Sequence, residues 1–308
     1  MCELLRNQGF RAPDEWLEFA RNHGFTRVAA TRLEACPCCG ATNRRMLSSY
    51  VFYSNYATLA ECQACGLWYS DLRLPDETLR GHFERSYKGE GYFRRRGRIL
   101  EHLARVVSRA APEEGTVIDV GGAEGHLLRR LKSLRRDLRL TLTDTSSLAC
   151  HQAAGITGVE VFQGSIAEMI DRAWSFDVVV LSDVIYYEPN LEALWSALER
   201  WVAPGGIVVI RIPNRWRWIR GRFFTGGQMD RADIRGFNPD HLYVFTPGFL
   251  ARELKHRGFT DLRLLPSPLL GTGPSTLIAF WALRAVGALL PGGPRTPGML
   301  LTAKGPRR

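Results

Sequence analysis

Residues Val117 to Leu128 read VIDVGGAEGHLL, and their division decides the fold. Val117, Ile118 and Val120 bracket an acid, Asp119, as a buried strand does. Gly121-Gly122-Ala123-Glu124-Gly125 follows, and then Leu127, Leu128 and Leu131 recur at helical spacing. The order is strand, tight turn, helix. Gly121 and Gly125 suit a turn where a side chain would keep a ligand off the backbone. Aimed by a parallel strand, such a turn is a nucleotide cradle. A short glycine loop by itself also fits a plain βα turn, so the flanking chain has to decide.

Downstream, apolar runs alternate with helical patterns, which argues for a mostly parallel sheet with helices on both faces. Seven strands are predicted, at 116–120, 138–143, 159–162, 176–181, 207–212, 259–265 and 299–303. The fourth, FDVVVL, suits a sheet centre and opens onto Ser182-Asp183-Val184. The second ends at Asp144, about 25 positions beyond Asp119, where an acid can bond ribose hydroxyls. A helix over 191–201 precedes the turn Pro204-Gly205-Gly206. Thr246-Pro247 starts another helix, with proline at its first position. The basic aromatic stretch at 215–240 is long for a loop in a compact domain, and such loops are usually functional.

Upstream, Cys36-Pro37-Cys38-Cys39-Gly40 and Cys62-Gln63-Ala64-Cys65-Gly66 form two knuckles joined by a predicted hairpin. In each, two thiolates can reach one ion and the glycine permits the turn. Cys36, Cys39, Cys62 and Cys65 therefore suit a four-coordinate, structural zinc, with Cys38 spare. Such usage fits a reducing cytoplasm better than a disulfide framework. The chain divides into an N-terminal helical segment (1–30), a zinc-binding region (31–74), a helical linker (75–114) and the sheet domain (115–308).

The net charge is +10 with only four lysines, so arginine carries nearly all of it. Such a chain can meet phosphate, nucleic acid or an anionic membrane, or can present a solvated basic surface. The first residues, MCELLRNQGF, lack the apolar core of a signal peptide, and no run reaches the roughly 18 residues of a membrane span. Residues 274–290 are apolar with Arg284 the only charge. They are expected to form a helix buried on the acceptor side, or an interfacial helix at a membrane surface.

Together CPCCG, ECQACGLWYS, VIDVGGAEGHLL, FDVVVLSDVIYY, LERWVAPGGIVVIRIPN and DHLYVFTPGFLARELKHRGF resemble class I S-adenosylmethionine-dependent methyltransferases, in the group that carries an N-terminal cysteine knuckle region. The resemblance spans roughly residues 36–265 and implies a Rossmann-like fold and S-adenosyl-L-methionine as cofactor. It places Gly121, Gly122, Ala123 and Gly125 against the cofactor, Asp119 at its amino-acid end and Asp144 on its ribose. Ser182 and Asp183 fall near the transferring methyl. Ser165 stands where relatives have the acid that meets the adenine amine, and Tyr187 where many have histidine. Ala123 replaces a usual glycine, which is tolerable if only the flanking glycines need unusual backbone angles.

The acceptor reading divides three ways: a small-molecule or sugar acceptor methylated on oxygen or carbon, RNA or another nucleic acid, or a zinc-containing binding module without catalysis. For a hydroxyl or acidic C–H acceptor the candidate base is His241, which follows the long loop. Its imidazole can take a proton near neutral pH, and Asp240 can orient it. Tyr186 and Tyr187 are further candidates for acceptor contact.

Overall fold

A computed structural model of the protein describes residues 28–306 except 54, 86–89, 215–239, 269–273, 290–295 and 297. Nearly all of the expected N-terminal helical segment and of the basic aromatic stretch therefore lies outside the described residues. The chain forms two compact units.

In the first unit, β1 (Thr31–Arg32) pairs antiparallel with β5 (Leu72–Arg73). The predicted hairpin is β2 (Arg44–Phe52) and β3 (Asn55–Cys62), and β4 (Trp68–Ser70) pairs on the far side of β3. Ala57, Leu59, Ala60 and Tyr69 are completely enclosed in this small sheet. The register sets Arg44 opposite Cys62. The start of β2, just past the first knuckle, thus lies against the end of β3, where the second begins, and local pairing alone brings the knuckles together.

Three helices lead into the second unit: α1 (Asp76–Arg85), α2 (Glu90–Arg95) and α3 (Gly97–Ala110). Helix α3 buries Ile99, Leu100, Leu103, Ala104 and Val107, the three-and-four spacing of one apolar face. The sheet then follows as β6 (Thr116–Val120), α4 (His126–Leu134), β7 (Arg139–Asp144), α5 (Ser147–Ala154), β8 (Val159–Gln163), α6 (Ile166–Met169), β9 (Phe176–Ser182), α7 (Leu191–Trp201) and β10 (Val202–Pro213). A short strand β11 (Tyr243–Val244) returns to the first unit and pairs with β4. Helix α8 (Pro247–His256), β12 (Thr260–Ser267), helix α9 (Pro274–Leu289) and β13 (Gly298–Lys304) complete the chain.

The strand order is β12-β13-β10-β9-β6-β7-β8. Strands β6 to β10 are mutually parallel where they pair, and β13 runs antiparallel to both β10 and β12. The seven predicted strands are all present. Strand β10 starts five residues earlier than its apolar run, at Val202, because an irregularity between Val202 and Ile207 absorbs Pro204-Gly205-Gly206 without ending the pairing. Val178, Val179 and Val180 of β9 have no exposed surface, as a central strand covered on both faces requires.

Two parallel crossovers leave from the carboxyl ends of β6 and β9, and the chain moves in opposite directions along the sheet from these neighbours. Ligands of open α/β sheets bind at such a switch point. Asp119 and the glycine loop lie at the exit of β6, Asp144 at that of β7, and Ser182, Asp183, Tyr186 and Tyr187 at that of β9, whereas Ser165 follows β8 and His241 belongs to the first unit.

Candidate active site

The loop after β6 turns at Gly121, with φ +67°. A Cβ at Gly121 would fall 2.5 Å from Val184 Cγ2, and one at Gly125 would fall 2.5 Å from Ile156 Cδ1. Both glycines therefore admit neighbouring protein side chains. The condition under which alanine is readily tolerated in the loop, that only the flanking glycines take unusual angles, is not met: the φ of Ala123 is +48°. An L-residue there costs about 1–2 kcal/mol. The Ala123 N–H offsets part of that by donating to Asp144 Oδ2 at 2.9 Å.

The loop's amides are largely engaged within the protein. Those of Gly121 and Gly122 donate to Thr143 O at 2.7 and 3.1 Å, and that of Gly125 to Gly122 O at 3.0 Å. Asp119 and Asp144 sit beside the loop; a Cβ at Gly122 would lie 2.8 Å from Asp119 Oδ2. A pyrophosphate needs open amides and a positive field. This loop offers carboxylates instead, which suit hydroxyls and a cationic end.

Burial, with a contribution from Asp144 and against the pull of Arg96, pushes the Asp119 carboxyl up to about 7. Burial also raises Asp144, although amide donors at Ser146 and Ala123 work to lower it. The Asp144 oxygens accept amides of Ser146, at 2.9 Å, and of Ala123, and a carboxylate oxygen offers more than one lone pair, which suits a ligand hydroxyl. Glu84 braces the turn after β7, accepting from Ser146 Oγ at 3.0 Å and from the Ser147 amide at 2.9 Å. Nothing in the sequence marked Glu84, because its partners lie 62 and 63 positions away.

Ser165 is the N-cap of α6. The Glu168 amide donates to the Ser165 hydroxyl at 3.3 Å and the Ser165 amide donates to Glu168 Oε2 at 2.7 Å, a capping box. The carboxylate missing from position 165 is thus present three residues on, paired with Arg80 at 2.7 Å.

At the exit of β9, Asp183 takes φ +60° and is buried between two arginines, Arg96 and Arg211, both of which donate to its carboxylate. Burial opposes the charge, but the two guanidiniums outweigh it and hold the Asp183 carboxyl down at about 2. Arg96 also reaches Tyr92 Oη at 2.8 Å and Ser182 Oγ at 3.4 Å, while Arg211 Nε donates to Ser267 Oγ at 3.3 Å. Nothing local in the sequence distinguishes Arg96 from the arginines beside it, and Arg211 is not among the residues named from the sequence. The missed signal is a lone arginine inside the apolar run IVVIRIP. Tyr186 and Tyr187 occupy a 3-10 turn, Ile185–Tyr187, with ring centroids 4.6 Å apart. Burial, reinforced by Asp183, raises the Tyr186 phenol well above its ordinary value, so at neutral pH it is a proton donor and no base.

In the first unit the Sγ atoms of Cys36, Cys39, Cys62 and Cys65 all lie within 4.8 Å of one another. The Cys36–Cys65 and Cys39–Cys62 separations are 3.6 Å. Four thiolates each 2.3 Å from one ion in a tetrahedron stand about 3.8 Å apart, so the spacing fits zinc. Gly40 and Gly66 close the knuckles with φ +72° each, their amides donating to Cys36 O and Cys62 O at 2.9 Å. Cys38 lies outside the cluster. His241 also belongs to the first unit. It is 2% exposed, with Nε2 3.9 Å from Asp240 Oδ1.

A protein-family model described as "Methyltransferase domain" matches residues 92–264, more than half of the chain. No curated protein matches. Among solved structures, an S-adenosylmethionine-dependent methyltransferase from Thermotoga maritima is 16% identical, with 75% of this chain and 99% of that one aligned at a TM-score of 0.50. A complex of the Haloferax volcanii Trm112 methyltransferase activator with a methyltransferase gives 13% identity, 75% and 98% coverage and a TM-score of 0.51. The plantazolicin methyltransferase BpumL bound to S-adenosylhomocysteine gives 15%, 74%, 90% and 0.46. The chain belongs to the methyltransferase domain family and is a class I S-adenosylmethionine-dependent methyltransferase.

Proposed function

We propose that the enzyme methylates an oxygen or carbon of a small-molecule or sugar-type acceptor in a biosynthetic pathway. The observation that carries this reading is the state of Asp183. A nucleic-acid enzyme holding an exocyclic base nitrogen at this exit needs an open acceptor there. Here both oxygens of the buried carboxylate are occupied by Arg96 and Arg211, and the adjoining turn carries tyrosines in place of an Asn/Asp-Pro-Pro-aromatic sequence. The charge of +10 favours the alternative, RNA, but charge alone names no partner.

S-adenosylmethionine supplies an already activated methyl group, so the chain's own work is positioning. We assign Asp144 to the ribose hydroxyls, Asp119 to the ammonium end, and the loop of Gly121, Gly122, Ala123 and Gly125 to the adenosyl backbone approach. Ser165, committed to its cap, leaves the adenine amine to Glu168 or to backbone groups. Ser182 and Asp183 shape the methyl side, with Tyr186 as a hydrogen-bond donor and Tyr187 as a contact for the acceptor. His241 is assigned the acceptor's proton on its chemistry, and the four cysteines a structural zinc. Four clustered thiols support a reducing, cytoplasmic setting.

The test is a methyl-transfer assay scored by S-adenosylhomocysteine release, with sugar nucleotides and hydroxylated pathway intermediates in one panel and bulk RNA in the other. Turnover confined to the first panel is expected. Turnover confined to RNA overturns the reading. His241→Ala should lose about 100-fold in turnover with cofactor binding intact; a change of only a few-fold removes that assignment.

A further inference from the structure

Helix α9 is not buried as the first expectation had it. Phe280 is turned inward, but Ile278 is 70% and Trp281 54% exposed. Side chains this apolar, exposed together on one helix, need a reason. No helix among the described residues is long and apolar enough to cross a membrane.

Between α3 and α9 lies an open groove of about 690 Å³, with the end of β12 as its third side. Among the described residues, Arg98, Arg105, Arg130 and Arg284 line it, against a single acid, Glu101. Arg105 holds Glu101 at 2.9 Å, so the groove keeps a net positive charge. The Arg284 guanidinium lies 5.0 Å from the centre of the Trp281 ring, joining the basic floor to the exposed apolar edge. His102 Nε2 points into the protein with no hydrogen-bond partner among the described residues. Burial and the neighbouring Arg284, Arg105 and Arg109 keep that imidazole neutral.

The groove adjoins the reaction edge. Gly97 and Arg98 directly follow Arg96, and Pro266 and Pro268 flank Ser267, the partner of Arg211. Arginines beside a tryptophan and an isoleucine are the chemistry of a headgroup boundary: cations meet lipid phosphates while the ring and alkyl chain enter the acyl border.

We propose that this groove receives the phosphate headgroups of an anionic bilayer, with Ile278 and Trp281 seated in the membrane interface. The contact would hold the methyl-transfer edge close to the membrane surface. It goes beyond the acceptor reading and stands whether the acceptor is a sugar or another small molecule.

Sedimentation with vesicles tests it. The full chain should pellet with vesicles of phosphatidylglycerol and phosphatidylcholine at low salt, release at high salt, and stay in solution with phosphatidylcholine alone. Arg105→Gln with Arg284→Gln should weaken partitioning by roughly ten- to thirty-fold, from about one electrostatic increment per basic residue lost near the surface. Ile278→Ser with Trp281→Ser should weaken it comparably. S-adenosylhomocysteine binding measured in parallel shows that each variant is folded, and its absence in the parent would strike the cofactor reading and leave this one standing. If a variant fails to fold, salt release and lipid selectivity of the parent decide. A parent that stays in the supernatant with anionic vesicles overturns the proposal. So does inorganic pyrophosphate raising the melting temperature without vesicle binding, which marks a soluble phosphate ligand. A dimer that Ile278→Ser with Trp281→Ser converts to monomer, again without vesicle binding, overturns it in favour of a second copy.

Discussion

The backbone amide of Ala123 and the carboxylate of Asp144 are bonded at 2.9 Å, which ties the loop after β6 to the end of β7. The bond fixes the turn and aims the carboxylate at once. It also holds a non-glycine residue at φ +48°.

Ala123→Gly should therefore relieve strain without losing the bond, since glycine has the same N–H. Strain relief of about 1–2 kcal/mol is partly cancelled by the extra freedom of glycine in the unfolded chain, about 0.4–1 kcal/mol. A net gain of about 0.5–1 kcal/mol in urea unfolding is expected, with cofactor affinity within a few-fold of the parent. A loss of stability would mean that Ala123 makes packing contacts that outweigh its backbone strain.

Asp119 links cofactor binding to pH. Its carboxyl titrates at about 7 in the cofactor-free protein, chiefly because burial disfavours the charge. An ammonium partner favours the ionised form, so cofactor affinity should climb as pH rises from 6 to 8. The sign for the free protein is opposite. A carboxyl raised above its unfolded value near 3.9 keeps its proton when folded, so its contribution to stability declines as pH rises from about 4 through about 7. Calorimetry with S-adenosylhomocysteine across that range should show the climb in the parent and a flat profile in Asp119→Asn. A parallel climb in both proteins would assign the dependence to another group.

The parallel sheet was legible because Val178, Val179 and Val180 had to be buried on both faces, and a continuous apolar run has few other uses. The knuckles were legible because Cys-x-x-Cys spacing and the glycine at φ +72° are both local. The charge network at the β9 exit was not. Arg96, Asp183 and Arg211 are separated by 87 and 28 positions, and no local pattern says which arginine of an arginine-rich chain turns inward. Ala123 was opaque for a related reason: an alanine carries no mark of a left-handed angle, which here accompanies the bond to Asp144.

That network predicts a large effect from a small change. Asp183→Asn keeps the size of the side chain and tolerates φ +60°, since asparagine visits that region readily. It leaves Arg96 and Arg211, both buried, facing each other without the intervening charge. Breaking a buried pair in this way costs about 3–5 kcal/mol. Denaturant unfolding should show a drop of that order, larger below physiological salt than above it. A loss under 1 kcal/mol would mean that water or another carboxylate already shares the arginines' charge.

The cysteine cluster predicts a metal. Without a cation, backbone amides of Cys65 and Ala64 work against burial and lower the Cys62 thiol to about 7, but the other thiols resist ionising: the bond to Cys65 and then burial raise Cys36, and burial raises Cys39. A bound divalent ion reverses this, because thiolates are the ligands and binding expels their protons. Purified protein should contain about one zinc per chain. Chelator should remove it more readily at pH 5 than at pH 8, since protons compete for the same sulfurs. Cys62→Ser with Cys65→Ser should abolish the stoichiometric metal and loosen the β2–β3 hairpin, whose register sets Arg44 against Cys62. Hydrogen exchange should then quicken in 31–74 and hold steady in β6, β9 and β10, because their parallel pairing and enclosed valines draw nothing from the metal. Retention of a full equivalent of zinc by the double variant would locate the metal elsewhere and leave the four close sulfurs as a thiol cluster alone.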